Sequence, residues 1–199
     1  MSRPALDVSH LPPVAFGHRN VVWWGTMGII VIEGTMFAMV AMAYLYLKGR
    51  NPHWPNAFLP PDLFWGTVNT VVLLASAVPN QFAKKAAEKF DFRGARFWLT
   101  VALVFALGFN VIRIFEFRSL NVWFDSNGYG SITWVLLGFH TVHVITDFVD
   151  SAVLCSVLYI GPIQDSHLVD VSENALYWYF VVLAWLPIYG LIYWAPRLA

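Results

Sequence analysis

Residues Val22–Leu47 read VWWGTMGIIVIEGTMFAMVAMAYLYL and end at Lys48, Gly49 and Arg50. A helix rises 1.5 Å per residue, so about 20 mainly apolar residues cross the hydrocarbon core of a bilayer. This run is longer than that and holds one acidic residue, Glu33. It exceeds the length of a signal-peptide core, and no small-residue cleavage pattern follows it, so it reads as a retained span. Four more runs qualify. They are Leu63–Phe82, which follows Pro60-Pro61-Asp62; Phe97–Phe117; Ser131–Ile160, closed by Gly161-Pro162; and Leu176–Trp194, followed by Pro196. The predicted fold class is all-α, an integral membrane bundle of five transmembrane helices. The fourth run is longer than a crossing needs, which implies tilt or extension beyond the bilayer. Residues 22–199 read as one domain. Residues 1–21 read as an irregular cytoplasmic tail, with Pro4, Pro12 and Pro13 opposing regular structure.

The composition agrees. Of the 199 residues 58% are hydrophobic and 12% charged, about half the charged share of an ordinary soluble domain, near 25%. Such a chain cannot cover a water-facing surface. Ten tryptophans are present, many at the edges of the apolar runs, where aromatic belts sit. The formal net charge is zero, which gives no basis for a nucleic-acid partner. The single cysteine, Cys155, lies in an apolar run and excludes an internal disulfide framework or a cysteine metal cage. Basic residues set the expected topology. Arg3, Arg19, Lys84, Lys85, Lys89, Arg93 and Arg96 fall on one side, against Lys48, Arg50, Arg118 and Arg197 on the other. Cytoplasmic loops favour Lys and Arg, so the N-terminus is expected in the cytoplasm and the C-terminus in the periplasm or its equivalent.

The intramembrane polar residues are the candidate sites. Glu33 lies mid-span, where a carboxylate costs on the order of 3 kcal/mol on insertion scales. It reads either as a proton-active carboxyl or as a neutral acid bonded to another helix. His140, His143, Asp147 and Asp150 are spaced three, four and three apart, within an arc of roughly 80° at 100° per residue. That stripe must face protein or water. A metal site, a proton path and a hydrogen-bonded packing or lipid-headgroup seam compete for it; no metal is expected, because one helix cannot enclose an ion. Arg113 and Glu116, three apart, can pair, most simply as a snorkelling interfacial ion pair. His10, His18, His53 and His167 show no ligand-like spacing. No phosphate loop, serine elbow or haem-attachment cysteine pair is present in the sequence.

Several stretches together resemble cytochrome c oxidase subunit III. Trp24-Gly25 through Ile32-Glu33-Gly34-Thr35-Met36-Phe37 is similar to that family's glutamate-bearing helix. Asn69-Thr70-Val71-Val72-Leu73-Leu74-Ala75-Ser76 is similar to its LNTxxLLxSS segment. Glu116 falls on its glutamate before an external loop. Tyr129-Gly130-Ser131 followed by Gly138-Phe139-His140-Thr141-Val142-His143-Val144 looks like YGSxFFxxTGFHGxHV, and Tyr177-Trp178-Tyr179-Phe180 and Tyr193-Trp194 resemble the last helix. The family's fuller version has seven helices, so five spans resemble the form lacking the first two. There are departures. Lys84-Lys85 replaces adjacent histidines, Tyr179 and Val182 replace a His and an Asp while Trp185 remains, Arg113 stands where glutamine is common, and Asp147 replaces a small residue.

The resemblance implies a supporting subunit of a proton-translocating oxidase. It implies no catalytic residue, metal or cofactor in this chain, haem and copper in partner subunits, and packing against catalytic subunit I and other oxidase subunits. It also implies bound phospholipid, with Asn69, Arg113, Trp178 and Trp185 as candidate lipid or packing contacts, and location in a bacterial inner membrane. Other readings are a subunit-III-like protein attached to a nitric oxide reductase, a small proton or ion transporter using the helix-four stripe, and a membrane metalloenzyme.

Overall fold

The computed structural model describes residues 14–55, 59–162 and 164–198. Arg3, His10, the three tail prolines and Ala199 lie outside the described residues. Five long helices follow one another: α1 (Val21–Arg50), α2 (Leu63–Glu88), α3 (Phe92–Arg118), α4 (Gly128–Ile160) and α5 (Ser166–Tyr189). The last runs into a π-helical turn, Gly190–Trp194. All five are long and apolar enough to cross a membrane, so the all-α membrane bundle is what the chain forms. There is no strand among the described residues.

Three of the helix starts, those of α1, α3 and α4, carry side-chain caps. The Asn20 side chain accepts from the Val22 amide at 2.9 Å, Asp91 from Gly94 at 3.0 Å and Asn127 from Gly130 at 2.8 Å. Each satisfies an amide that the first turn leaves free. The reversal between α2 and α3 needs only three residues, because Phe90 adopts φ 58°. Ala83, Ala87 and Ala95 are fully buried beside it, and such small side chains let two helix backbones approach closely.

The helix ends differ from the apolar runs. α2 continues past Phe82 to Glu88, α3 begins at Phe92, and α5 begins at Ser166, ten residues before the expected Leu176. An apolar run marks only the hydrocarbon portion of a helix. Polar residues such as Ser166, Asp170 and Glu173 continue the same backbone bonds beyond it, while Leu168, Val169 and Val171 between them pack inward.

α2 packs on α3 and α5, α4 packs on α3 and α5, and α1 rests on α4 and α5. Hydrogen bonds stitch α5 to α2: Trp185 Nε1 donates to Thr70 Oγ1 at 2.7 Å, Trp178 Nε1 to Ser76 Oγ at 2.9 Å, and Asn80 Nδ2 to the Ala175 carbonyl at 3.0 Å. Tyr179 donates its hydroxyl to Gln81 in the same seam. α1 is peripheral: of its 30 residues only Phe37 and Tyr44 are buried. Its C-terminal end is held by Lys48, which donates to the Ala195 carbonyl at 2.9 Å. Tyr44 also accepts from Trp54 Nε1 at 3.0 Å.

Candidate functional site

The residues of the intramembrane polar set divide into three places. The first is a closed network in the bundle core. Glu116 on α3 is fully buried, and its Oε2 accepts from Arg113 Nη1 at 2.8 Å and Asn69 Nδ2 at 2.7 Å. Its Oε1 accepts from the Tyr193 hydroxyl at 2.7 Å. Three donors on one carboxylate replace most of the hydration lost on burial. The π turn brings Tyr193 to this point, and Gly66 on α2 makes room for the ring, since a Cβ there would overlap it. Tight helix packing is thereby tied to a hydrogen bond.

Arg113 is 2% exposed, which corrects the reading of an interfacial, snorkelling pair. Positions 113 and 116 share a face, as their spacing requires, but that face points inward between α2, α4 and α5. The guanidinium lies 4.5 Å from the Phe109 ring centre and 4.3 Å from that of Trp185, between two aromatic faces. Its Nη2 reaches His140 Nδ1 at 3.1 Å, while His140 Nε2 meets the Val181 carbonyl at 3.1 Å. A guanidinium can only donate and a carbonyl can only accept. The assignment that satisfies both is a neutral imidazole with its proton on Nε2. Asn69, Arg113, Glu116, His140, Trp185 and Tyr193 thus join α2, α3, α4 and α5.

The second place is Glu33 on α1. Tyr177 on α5 donates its hydroxyl to Glu33 Oε2 at 2.6 Å. His143 Nδ1 lies 2.6 Å from the Phe139 carbonyl of its own helix, leaving Nε2 toward Glu33 Oε1 at 3.7 Å. That distance is beyond a hydrogen bond, yet it is short enough for an ion pair if a proton moves onto the imidazole. The side chains are 12% (His143) and 22% (Glu33) exposed. Phe37 packs on the His143 ring at 4.8 Å between centres. Glu33 is therefore a mid-helix polar link between α1 and α5.

The third place is a groove of about 600 Å3 between α1, α4 and α5, into which Asp147 and Asp150 open. Two of its lining acids, Asp170 and Glu173, lie on the part of α5 that precedes the apolar run from Leu176, so that run alone does not reveal them. A usable signal existed: Asp170, Glu173, Asn174 and Tyr177 recur at three, four and seven residues, one helical face. The helix-four stripe accordingly does not act as a unit. His140 joins the core network, His143 faces Glu33, and the two aspartates face the groove. Trp178 is buried 4% exposed against Ser76, a packing contact of α5 on α2.

A family model described as cytochrome c oxidase subunit III matches residues 24–196. The cytochrome c oxidase subunit 3 of Thermostichus vulcanus is 27% identical over 197 residues, 97% of this chain and 94% of that protein. The protein of the same description in Synechocystis sp. is 26% identical over 196 residues, 94% of this chain and 83% of its own. A probable cytochrome c oxidase subunit 3 of Nocardia farcinica is 30% identical over 181 residues, 87% and 88% of the two chains.

Proposed function

Because the chain belongs to the cytochrome c oxidase subunit III family, we propose that it serves as the non-redox third subunit of a haem–copper terminal oxidase. The observation that carries this reading is the family match across residues 24–196, which takes in all five helices except the first turn of α1. In this reading haem and copper belong to partner subunits, and this chain packs against catalytic subunit I in a bacterial inner membrane. Its N-terminal end, with Arg19, Lys84, Lys85, Lys89, Arg93 and Arg96, faces the cytoplasm, and its C-terminus faces the periplasm.

The geometry supports a scaffold role. A polar network held on four helices makes one arrangement of the bundle much better satisfied than its neighbours. A bundle fixed in that way can present a constant surface to a catalytic partner and hold phospholipid against it. Its own residues bind and position; the transfer of electrons to oxygen, and proton translocation, are properties of the assembled complex. Its contribution is then to sustained turnover and proton uptake.

The test is a turnover time course for the oxidase with and without this chain. Removal is expected to leave the haem spectrum and the initial rate close to those of the intact complex and to shorten the active lifetime or slow proton uptake. Immediate loss of haem would contradict the role, as would unchanged activity and lifetime together. A chain that purifies with no haem-bearing partner under any mild detergent would contradict it as well.

A further inference from the structure

One face of α1 changes character along its length. Val22, Thr26, Ile29 and Glu33, spaced four, three and four, line the groove between α1, α4 and α5. The same face continues at the same spacing through Phe37, Val40 and Tyr44, which pack into the core. The two residues of α1 that are buried, Phe37 and Tyr44, both lie in this second half. Tyr44 is fixed there by Trp54, whose ring meets that of Tyr129 on α4 edge-on at 5.0 Å, and Lys48 is fixed by the Ala195 carbonyl. The C-terminal half of α1 is thus bound to the bundle, while the N-terminal half stands across an open space of about 600 Å3.

The change falls at Gly34-Thr35. A Cβ on Gly34 would lie 3.7 Å from the Phe180 ring, an ordinary contact. Packing therefore does not require glycine there, and its effect is on the backbone, which it weakens relative to alanine. Thr35 donates its hydroxyl to the Ile32 carbonyl at 2.6 Å, a back-bond within the helix that competes with the backbone ladder and favours bending. Two contacts hold the N-terminal half down. Tyr177 donates to Glu33, and Phe16, just before the helix, sets its ring edge-on against Phe90 at 5.6 Å. His143 Nε2, at 3.7 Å from Glu33, is too far to add a hydrogen bond. A segment with so few buried contacts opens at low cost relative to the core.

We propose that residues 21–33 form a hinged lid over the groove, bending at Gly34-Thr35 about a C-terminal half that stays fixed, with the Tyr177 and Phe16 contacts as its two catches.

The test places spin labels on genetically encoded azide residues, which leaves native cysteines unlabelled, in the assembled complex in nanodiscs. One pair is Val21 and Ile160, both exposed, at the lid and at the end of α4; the reference pair is Tyr46 and Phe124, also exposed, beside the fixed half. Double electron–electron resonance reads the distance distribution of each pair. The unsubstituted chain should show one main Val21–Ile160 distance. Tyr177→Phe and Phe16→Ala should each raise the share of a longer distance about fivefold, the factor for one such contact, and the double variant more. Gly34→Ala in the double variant should remove most of the longer distance. Gly28→Ala, which makes the same gain in helix propensity away from the junction and meets nothing within 4 Å, should leave it. The Tyr46–Phe124 distance should hold throughout. Tyr177→Phe alone, which loses one hydroxyl and no packing, carries the test where the double variant fails to assemble. A Val21–Ile160 distance that stays single in these variants overturns the proposal. So does equal lengthening of both pairs, which would mean that α1 leaves as a rigid whole, and so do equal effects of Gly34→Ala and Gly28→Ala.

Discussion

Glu116→Gln isolates the charge of the core network from its shape. Glutamine can keep all three contacts. Its oxygen can face Asn69 Nδ2 and Arg113 Nη1, where the carboxylate accepts at 2.7 and 2.8 Å, and its amide can donate to the Tyr193 hydroxyl, which turns from donor to acceptor. What disappears is the anion beside a guanidinium that is 2% exposed. Leaving one member of a buried ion pair without its partner costs about 3–5 kcal/mol. The aromatic faces of Phe109 and Trp185 remain in both forms and do not offset the change. At about 2–4 °C per kcal/mol for a chain of this size, the expected loss is on the order of 10 °C in the thermal midpoint. The assay is thermal unfolding of the detergent-solubilised complex, with the yield of assembled complex alongside. Arg113→Met/Glu116→Gln removes both charges and should recover part of the loss, with a coupling of about 1–3 kcal/mol. A midpoint for Glu116→Gln within about 3 °C of the unsubstituted protein would refute the reasoning, since that is about 1 kcal/mol. So would a double variant whose loss equals the sum of its singles.

Gly66→Ala should displace the Tyr193 ring, whose side chain is fully buried and cannot swing clear, and cost about 1–3 kcal/mol by overpacking. Gly25→Ala, where an added Cβ meets nothing within 4 Å, should stay within about 0.5 kcal/mol; thermal midpoints of the two decide this, and equal values would count against the packing account. Glu33→Gln should preserve assembly, because an amide oxygen still accepts from Tyr177, while Glu33→Leu should loosen α1 by about 1 kcal/mol for the lost bond; proteolysis of α1 in mild detergent reads the difference, and disassembly of the Gln variant would mean that the anion itself is needed. Reporter fusions after Lys85 and after Lys48 should fall on opposite sides of the membrane, cytoplasmic for the first. Both reporting from one side would sink the topology.

The five spans were legible because each is a long apolar run, and hydrocarbon thickness leaves little freedom in how such a run folds. Helix ends were less legible. Ser166–Asn174 is too polar to register as a span, yet its backbone continues α5 and turns Asp170 and Glu173 into the groove. The inward facing of Arg113 was not legible either. The i, i+3 spacing fixes that Arg113 and Glu116 share a face, and nothing in it fixes which neighbour the face meets. Four elements had to be placed before Asn69, His140, Trp185 and Tyr193 could be seen to close around it. Tyrosine partners were missed for a related reason: an aromatic residue at a span edge reads as a membrane anchor until the helix carrying its acceptor is known, as with Tyr177 and Glu33.

The departures from the family pattern sort by whether a partner is present. Tyr179 finds Gln81 on α2, and Val182 fills apolar core. Arg113, a full charge where glutamine is common, lies against Glu116 and between two aromatic rings. A charge introduced into the bundle interior is tolerable only with such compensation, because hydrocarbon and packed protein offer no water to replace it. Asp147 is the departure without it. Its neighbours in the groove are further acids, so adding another carboxyl there raises like-charge repulsion rather than relieving it.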